Sequence, residues 1–215
     1  FRHDEESGIS YVVTNTEGEI PVNVFAGVDP ATDSIRRDSD FSVICFVAVD
    51  ANNNVYVLDY LRKRGLPVLG IPGDFKKGIV DYMFEYNNIY HPNLYCVEDT
   101  SMSKPVFQSL VSEMRRRNDF SVKYTAEKPG NRMSKRDRIQ EILAQRFAIN
   151  SMHIKKDHYD LQHEIITFGP RMSHDDTIDA LAYACKYAHP PKGMLKQKDG
   201  SFRKHVPTPK NWVVA

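Results

Sequence analysis

The sequence has few cysteines and no long hydrophobic run, and each absence excludes a class of protein. Its three cysteines, Cys45, Cys96 and Cys185, lie far apart within apolar segments. Because none has the short paired spacing of a zinc site or a disulfide framework, they are predicted to be reduced core residues of an intracellular protein. No segment approaches the ~20 apolar residues needed to cross a bilayer, and the polar first residues do not form a signal peptide. No membrane partner is therefore expected.

The sequence also lacks a strong excess of charge of either sign. Lysine and arginine number 29 and aspartate and glutamate 28, which gives a net charge of +1. This balance neither requires nor excludes nucleic acid as a partner, because binding to a phosphate backbone depends on a local basic patch. The 215 residues, 41% of them hydrophobic, suffice for one α/β domain with a well-packed core. The first residue is not methionine, which suggests a domain excised from a longer protein.

The first part of the domain is predicted to be an antiparallel meander of three strands. Residues 22–28 and 41–49 are almost continuously apolar, as in strands that are buried on both faces. Residues 55–61 alternate and follow an Asn-rich turn, which is typical of a hairpin. Residues 1–21 are polar, and the sequence leaves open whether they form a hairpin or a linker.

After the meander, the apolar positions change to helical spacing, interrupted by two short strands. Pro105 lies in the first turn of one predicted helix, and Ser134 with Asp137 forms a capping box at the start of another. The predicted order is helix 75–89, strand 94–97, a helix from residue 103, strand 120–124, helix 134–145, an extended segment 147–154, and helices 159–168 and 175–188. Residues 191–215 are rich in proline and lysine and are predicted to be a basic tail.

This order of elements predicts the fold class. A strand–helix–strand step forms a right-handed parallel crossover, so two such steps added to the meander give a mixed five-stranded α/β sheet flanked by helices. If the crossovers pack beside the first strand, the strand order is 3-2-1-4-5, the ribonuclease H-like arrangement. The predicted division is a hairpin or linker at 1–21, the domain at 22–190 and the tail at 191–215.

Two acidic residues follow strands that this order makes neighbours. Asp29 comes directly after the first strand, and Glu98 comes directly after the fourth. Parallel neighbours lie about 4.8 Å apart, and functional sites in such sheets collect at the carboxyl ends of the strands. Two carboxylates so close repel each other unless a cation lies between them. Mg²⁺ or Mn²⁺ suits such oxygen ligands, so a metal site is predicted.

The adjacent acids Asp175 and Asp176, at the start of the last helix, are predicted to complete this site. A third carboxylate would allow two divalent ions roughly 3.5–4 Å apart to promote in-line attack on a phosphodiester. Taken singly, each acid has an ordinary explanation as a turn or helix-start residue. The helical wheel does not decide which of the pair binds metal; Asp176 is the first candidate and Asp175 the second. Asp179 is predicted to be structural. His174 is either a neighbour of the site or a helix-start residue, and the second is the preferred prediction.

A basic segment precedes and enters the helix that begins near residue 134. Several cations at a helix start are unfavourable unless they meet anions. The segment is therefore predicted to contact DNA phosphates. The residues proposed for this contact are Arg132, Lys135, Arg136 and Arg138. The basic tail could also touch DNA or simply increase solubility.

Four segments resemble the nuclease domain of the large terminase subunit of tailed bacteriophages. They are VFAGVDPA at 24–31, SDFSVI at 39–44, VE at 97–98 and HDDTIDALAY at 174–183, and the resemblance covers roughly residues 22–190. It implies a ribonuclease H-like endonuclease that cuts concatemeric viral DNA at the start and end of packaging, in the host cell cytoplasm. It also implies that Asp29, Glu98 and Asp176 hold the ions. In this family the second acid follows an apolar strand, which favours Glu98 over Asp99.

The resemblance implies partners as well as a reaction. Double-stranded DNA would be the substrate, and the small terminase subunit and portal would be partners. The packaging ATPase would lie upstream, since the sequence contains no G-x-x-x-x-G-K-S/T phosphate loop, and residues 1–21 would be the linker to it. The residues alone leave two alternatives open. One is another nuclease of this class, a ribonuclease H or a junction resolvase; the other is a catalytically inactive nucleic-acid-docking module.

Overall fold

A computed structural model describes residues 1–15, 17–31, 40–71, 73, 75–100, 103–128, 133–170 and 174–192, and the backbone of 194–196 and 202–204. Its strands are β1 (Arg2–Asp4), β2 (Ile9–Thr14), β3 (Gly18–Asp29), β4 (Ser42–Asp50), β5 (Val55–Lys63), β6 (Leu94–Glu98), β7 (Tyr124–Glu127), β8 (Met152–His153), β9 (Met194–Lys196) and β10 (Phe202–Lys204). Its helices are α1 (Ile79–Tyr90), α2 (Lys104–Arg117), α3 (Lys135–Ala148), α4 (Tyr159–Ile166) and α5 (Asp176–Lys186).

The centre of the main sheet has the predicted strand order. β3 lies in the middle, antiparallel to β4, which in turn pairs antiparallel with β5. On its other edge β3 pairs in parallel with β6, and β6 pairs in parallel with β7. The order β5-β4-β3-β6-β7 is therefore the predicted 3-2-1-4-5, and the ribonuclease H-like fold class is confirmed.

The sheet is larger than the five strands predicted, because three short strands extend it to eight. β8 pairs in parallel with β5, while β1 and β2 form a hairpin along the first half of β3. The second half of β3 pairs with β6, so the same edge of this long strand serves two partners. Within the predicted tail, the short strands β9 and β10 pair antiparallel in a separate small sheet.

Three boundaries predicted from the sequence are wrong. The helix predicted to begin at residue 75 begins at Ile79, with Gly78 as its N-cap, and Phe75 is exposed. The strand expected at 120–124 lies at β7, because the Asp119 side chain accepts a hydrogen bond from the Ser121 backbone and folds this segment into a turn. The segment 147–154 is mostly not extended. α3 continues to Ala148, with Ile149 as its C-cap, and the positive φ of 54° at Asn150 turns the chain away from the helix, so that only β8 remains as strand.

Helices cover both faces of the sheet. α1 and α2 pack on one face through buried side chains such as Met83 and Leu110, and α3, α4 and α5 pack on the other through Leu143, Leu161 and Leu181. All nine residues of β4 are buried, as its continuous apolar sequence predicts. The three cysteines are free and buried, which confirms that they are reduced core residues. Among the residues described, no helix has the length and apolar character to cross a membrane.

The close approach of α5 to β3 depends on Gly27. A Cβ atom at this position would lie 1.9 Å from the Ala180 carbonyl oxygen and 2.4 Å from the Ala184 nitrogen. Because both are backbone atoms of α5, the whole helix would have to move. Gly27 thus allows α5, with its acidic first turn, to lie directly on the central strand.

Gly27→Ala is therefore expected to destabilise the protein by about 1–3 kcal/mol or more, the usual cost of overpacking a core. Urea unfolding would measure the change. Gly169→Ala is the matched control, since a Cβ there comes no closer than 3.7 Å to another atom. Equal stability of the two variants would contradict the packing of α5 on β3.

Candidate active site

The ends of two neighbouring parallel strands bring the first two acids to one edge of the sheet. Val28 and Val97 are partners in the β3–β6 register, and Asp29 and Glu98 follow them. Asp29 is 8% exposed, and the Glu98 side chain is 15% exposed. The strand-end position predicted from the sequence is thus where the structure places both side chains.

Asp179, which the sequence analysis took as structural, lies in the same cluster. It is fully buried in the first turns of α5. The Arg138 Nη2 atom lies 2.9 Å from Asp179 Oδ1 and 3.9 Å from Glu98 Oε1, so one guanidinium group connects the two acids. That Asp179 is structural stays a prediction, because this residue both pairs with Arg138 and lies among the acids of the site.

Lys135, at the start of α3, lies among three carboxylates. Its Nζ atom is 2.8 Å from Asp175 Oδ1, 3.2 Å from Asp179 Oδ2 and 3.9 Å from Asp29 Oδ2. α3 therefore contributes two cations, Lys135 and Arg138, one turn apart on the helix face that packs toward α5. They balance much of the negative charge that β3, β6 and α5 bring together.

The electrostatics of the cluster favour a bound cation. Burial raises the pKa of the Asp29 carboxyl well above its ordinary value; Lys135 lowers it, and the charges of Asp179, Glu98 and Asp176 raise it further. Burial also raises the pKa of Asp179, although Lys135 and Arg138 oppose the shift. Because these carboxylates are close together and shielded from water, their ionised forms are unfavourable. A bound cation would offset that cost.

The adjacent acids Asp175 and Asp176 face different neighbours. Asp175 is the N-terminal cap of α5, and its half-exposed carboxylate accepts a hydrogen bond from Lys135. Asp176 is buried; its Oδ2 accepts a hydrogen bond of 3.2 Å from the Phe41 backbone N–H. Burial raises the pKa of Asp176, although that hydrogen bond lowers it. The structure therefore distinguishes a solvent-facing Asp175 from a fixed, buried Asp176.

His174 lies beside Asp176, closer to the site than a helix-start residue need be. Its Nδ1 is 3.8 Å from Asp176 Oδ2, and its ring meets Phe41 edge-on at 5.5 Å. Asp40, His174 and Asp176 each offer a ligand atom, all within 4.8 Å of one another. These side chains form the outer margin of the acidic site on the side of β4.

Sequence reasoning missed the residue that fixes the first turn of α5. Glu164 of α4 is 3% exposed, and it accepts hydrogen bonds from Thr177 Oγ1 at 2.8 Å and from the Ile178 backbone N–H at 2.9 Å. Arg62 Nη2 lies 3.5 Å from Glu164 Oε1, the same oxygen that accepts the Thr177 hydrogen bond. No motif or spacing singles out this glutamate, because its role depends on the packing of α4 against α5.

The Glu98 side chain is oriented by Tyr183. The Tyr183 hydroxyl donates a hydrogen bond of 2.9 Å to Glu98 Oε1, and the Glu98 backbone carbonyl accepts one from Ser103 Oγ. Tyr183 is 1% exposed, and burial together with the charges of Asp179 and Glu98 raises the pKa of its hydroxyl. It therefore remains a hydrogen-bond donor to the carboxylate at any ordinary pH.

The basic residues predicted to contact DNA divide into two groups. Lys135 and Arg138 point toward the acids, whereas Arg136 is exposed and borders a shallow groove that includes Phe168. Arg132 lies outside the described residues. The contact of these residues with DNA stays a prediction.

The donors present fit a hard divalent cation. The groups are carboxylate oxygens from the buried Asp29, Asp176 and Asp179 and from the partly buried Glu98, the ligand type that Mg²⁺ and Mn²⁺ prefer. The raised pKa values of Asp29, Asp176 and Asp179 show that the fold holds these carboxyl groups at an electrostatic cost, as in a site made for a charged ligand.

The sequence matches the family model described as the Terminase RNaseH-like domain over residues 26–188. The chain belongs to this family. The resemblance seen in the sequence is thereby confirmed, and the match spans the end of β3, strands β4 to β8, helices α1 to α5 and all the acids of the site. Comparison with curated proteins gives no match.

Solved structures similar to this terminase RNaseH-like domain include three Holliday junction resolvases. The yeast mitochondrial resolvase Ydc2 is 10% identical, with a TM-score of 0.48 over 75% of this chain and 76% of its own. RuvC of T. thermophilus is 18% identical, with a TM-score of 0.42 over 76% and 92%. The fowlpox virus resolvase is 12% identical, with a TM-score of 0.44 over 76% and 97%. Values this low do not carry the resolvases' activity over to this chain.

Proposed function

We propose that this domain is a metal-dependent DNA endonuclease that hydrolyses phosphodiester bonds by a two-metal mechanism. In its virus it would cut concatemeric DNA at the start and end of genome packaging. The observation that carries the proposal is the convergence of carboxylates at one edge of a ribonuclease H-like sheet, buried on β3 and α5 and partly buried on β6. Membership of the terminase family supports the biological setting.

The residues that would hold Mg²⁺ or Mn²⁺ are Asp29, Glu98 and Asp176, and the geometry adds Asp179 to them. Asp175 is a weaker candidate, because it faces solvent and bonds to Lys135. In sites of this kind, a pair of divalent ions lowers the pKa of the water that acts as nucleophile. The pair also stabilises charge at phosphorus and on the leaving 3′-oxygen. No covalent intermediate with the protein is required.

The remaining residues of the site keep these ligands in place. Tyr183 holds Glu98, the Phe41 backbone N–H holds Asp176, and Glu164 fixes the α5 turn between Asp176 and Asp179. Arg138 contacts both carboxylate oxygens of Asp179 and prevents its rotation. Fixed ligands cost little reorganisation when the substrate arrives, which is how a preorganised site lowers a barrier.

The substrate and partners follow from the same proposal. Double-stranded DNA would be the substrate, and the candidates for phosphate contacts are Arg136, which is exposed, and Arg132. In the full-length protein a packaging ATPase domain would lie upstream, and the small terminase subunit and portal would be partners in the host cell cytoplasm.

Digestion of plasmid DNA with Mg²⁺, Mn²⁺ or EDTA tests the proposal. We expect nicking and linearisation with either metal and none with EDTA. Activity that persists in EDTA would overturn the metal-dependent mechanism. A preference for an RNA–DNA hybrid or a four-way junction over linear duplex would instead indicate a ribonuclease H or a junction resolvase. Failure to cleave any of them, with Mn²⁺ binding also absent from a titration, would indicate a docking module.

A further inference from the structure

We propose that Lys135 is a built-in counter-cation that competes with divalent metal for the acidic site and thereby sets its metal affinity. The proposal rests on the proposed function, since it concerns the ions that Asp29 and its neighbours would hold. It assigns to Lys135 a role different from the phosphate contact expected from the sequence.

One ammonium group contacts three carboxylates that come from two elements. Asp29 ends β3, while Asp175 and Asp179 lie at the start of α5, and the Lys135 Nζ atom is within 3.9 Å of each. Ser134 caps α3 directly before it by accepting a hydrogen bond from the Asp137 backbone N–H, which fixes the origin of the lysine side chain. Lys135 therefore neutralises the part of the site where the negative charge is most concentrated.

A divalent ion and this ammonium cannot share the same oxygens. Two positive charges about 4 Å apart repel strongly in a partly buried site, and Asp29 and Asp179 would hold a metal through carboxylates whose Oδ2 atoms already lie 3.9 Å and 3.2 Å from Nζ. Metal binding at these carboxylates thus requires the Lys135 side chain to leave them. The free energy of its ion pairs is lost in that step, and this loss weakens the apparent affinity for metal.

Lys135 is suited to leaving, whereas Arg138 is not. The Lys135 side chain is 39% exposed and has a path to solvent, while that of Arg138 is 12% exposed. Arg138 contacts both oxygens of Asp179 and lies over the Tyr183 ring, 4.9 Å from its centre. A lysine head is a compact charge on a flexible stem, in contrast to the planar fork of arginine. The two cations of α3 therefore divide into one displaceable and one fixed.

Isothermal titration of Mn²⁺ into the full chain, without DNA, tests the proposal. Lys135→Met and Lys135→Gln remove the charge and are expected to bind Mn²⁺ roughly tenfold more tightly than the wild type, a usual size for coupling between competing sites. Lys135→Arg keeps a cation and is expected to stay close to the wild type. Arg136→Met is the matched control: it removes one charge from the next position of α3, where the side chain is exposed, and is expected to leave the affinity unchanged.

Thermal unfolding in EDTA gives a second measurement that does not depend on metal. Lys135→Met and Lys135→Gln are expected to unfold at a lower temperature than the wild type, because three carboxylates lose their shared partner, and added Mn²⁺ is expected to recover more stability in them than in Arg136→Met. Suppose that the wild type binds Mn²⁺ and loses this binding when Asp29 is replaced. An Mn²⁺ affinity unchanged in both uncharged Lys135 variants would then overturn this inference alone. Absence of Mn²⁺ binding in every variant would overturn it together with the proposed function.

Discussion

Asp29→Asn is expected to reduce DNA cleavage by roughly a thousand-fold, equivalent to losing about 4 kcal/mol of transition-state stabilisation. The substitution keeps the size of a side chain that is 8% exposed, but removes the charge that the site would use to hold metal. Initial rates of plasmid nicking at saturating Mn²⁺, for the variant and the wild type, would measure the loss.

Asp50→Asn provides a matched control for this substitution. Asp50 is also a buried aspartate of the same sheet, but it pairs with Val22 near the far end of β3 from Asp29. Its carboxylate accepts hydrogen bonds from the Asn52 and Asn54 backbone, so its replacement affects a turn and not the site. Cleavage should survive in Asp50→Asn wherever that variant is folded. An Asp29→Asn variant that cleaves at the wild-type rate would refute the assignment of the site.

The same substitution is expected to change the pH dependence of stability. The folded-state pKa of Asp29 is raised from its ordinary value of 3.8, chiefly by burial. The stability it contributes is therefore fully present below that value and is lost as the pH rises toward the raised pKa. In EDTA, the melting temperature of Asp29→Asn relative to the wild type should rise between pH 5 and pH 8. A relative melting temperature that falls over this range would mean that Lys135 outweighs burial and repulsion.

Much of the fold could be predicted because its signals are local. The change from apolar runs to helical spacing marks the order of the strands and helices, and the right-handed crossover rule then places β6 and β7 beside β3. The boundaries that failed were set by single residues. The turn at Asp119 and the positive φ of Asn150 depend on backbone conformations that apolar periodicity does not report.

The site could be predicted only where the chain itself positions the residues. Asp29 and Glu98 follow neighbouring parallel strands, so strand order alone brings them together. Asp179 is different, because the face that α5 turns to the sheet depends on the tight packing allowed by Gly27. The orientation of the Lys135 side chain also depends on contacts distant in the sequence, because its partners lie about 40 and 100 residues away. The rules for charges at helix ends consider only local residues.

Asp179→Ala is expected to destabilise the protein more than the loss of any other acid of the site, by about 3–5 kcal/mol, the usual cost of leaving a buried charge unpaired. Asp179 is fully buried, and among the described residues the Arg138 guanidinium would then keep a single ion-pair partner, the more distant Glu98 at 3.9 Å. For a chain of this length, the loss corresponds to a melting temperature lower by roughly 6–20 °C. Scanning calorimetry in EDTA would measure it.

A double-variant cycle separates the ion pair from the packing of the side chains. If the cost arises from an unpaired Arg138, then adding Arg138→Met to Asp179→Ala should recover part of the lost stability, whereas Arg138→Met alone should destabilise the protein. Asp175→Asn is the control on the same helix end, and its effect should be small because that carboxylate is 34% exposed. Strictly additive losses in the cycle would contradict the Asp179–Arg138 pair as the link between α3 and α5. The burial of Asp179 would then be explained by ligand binding at the site alone.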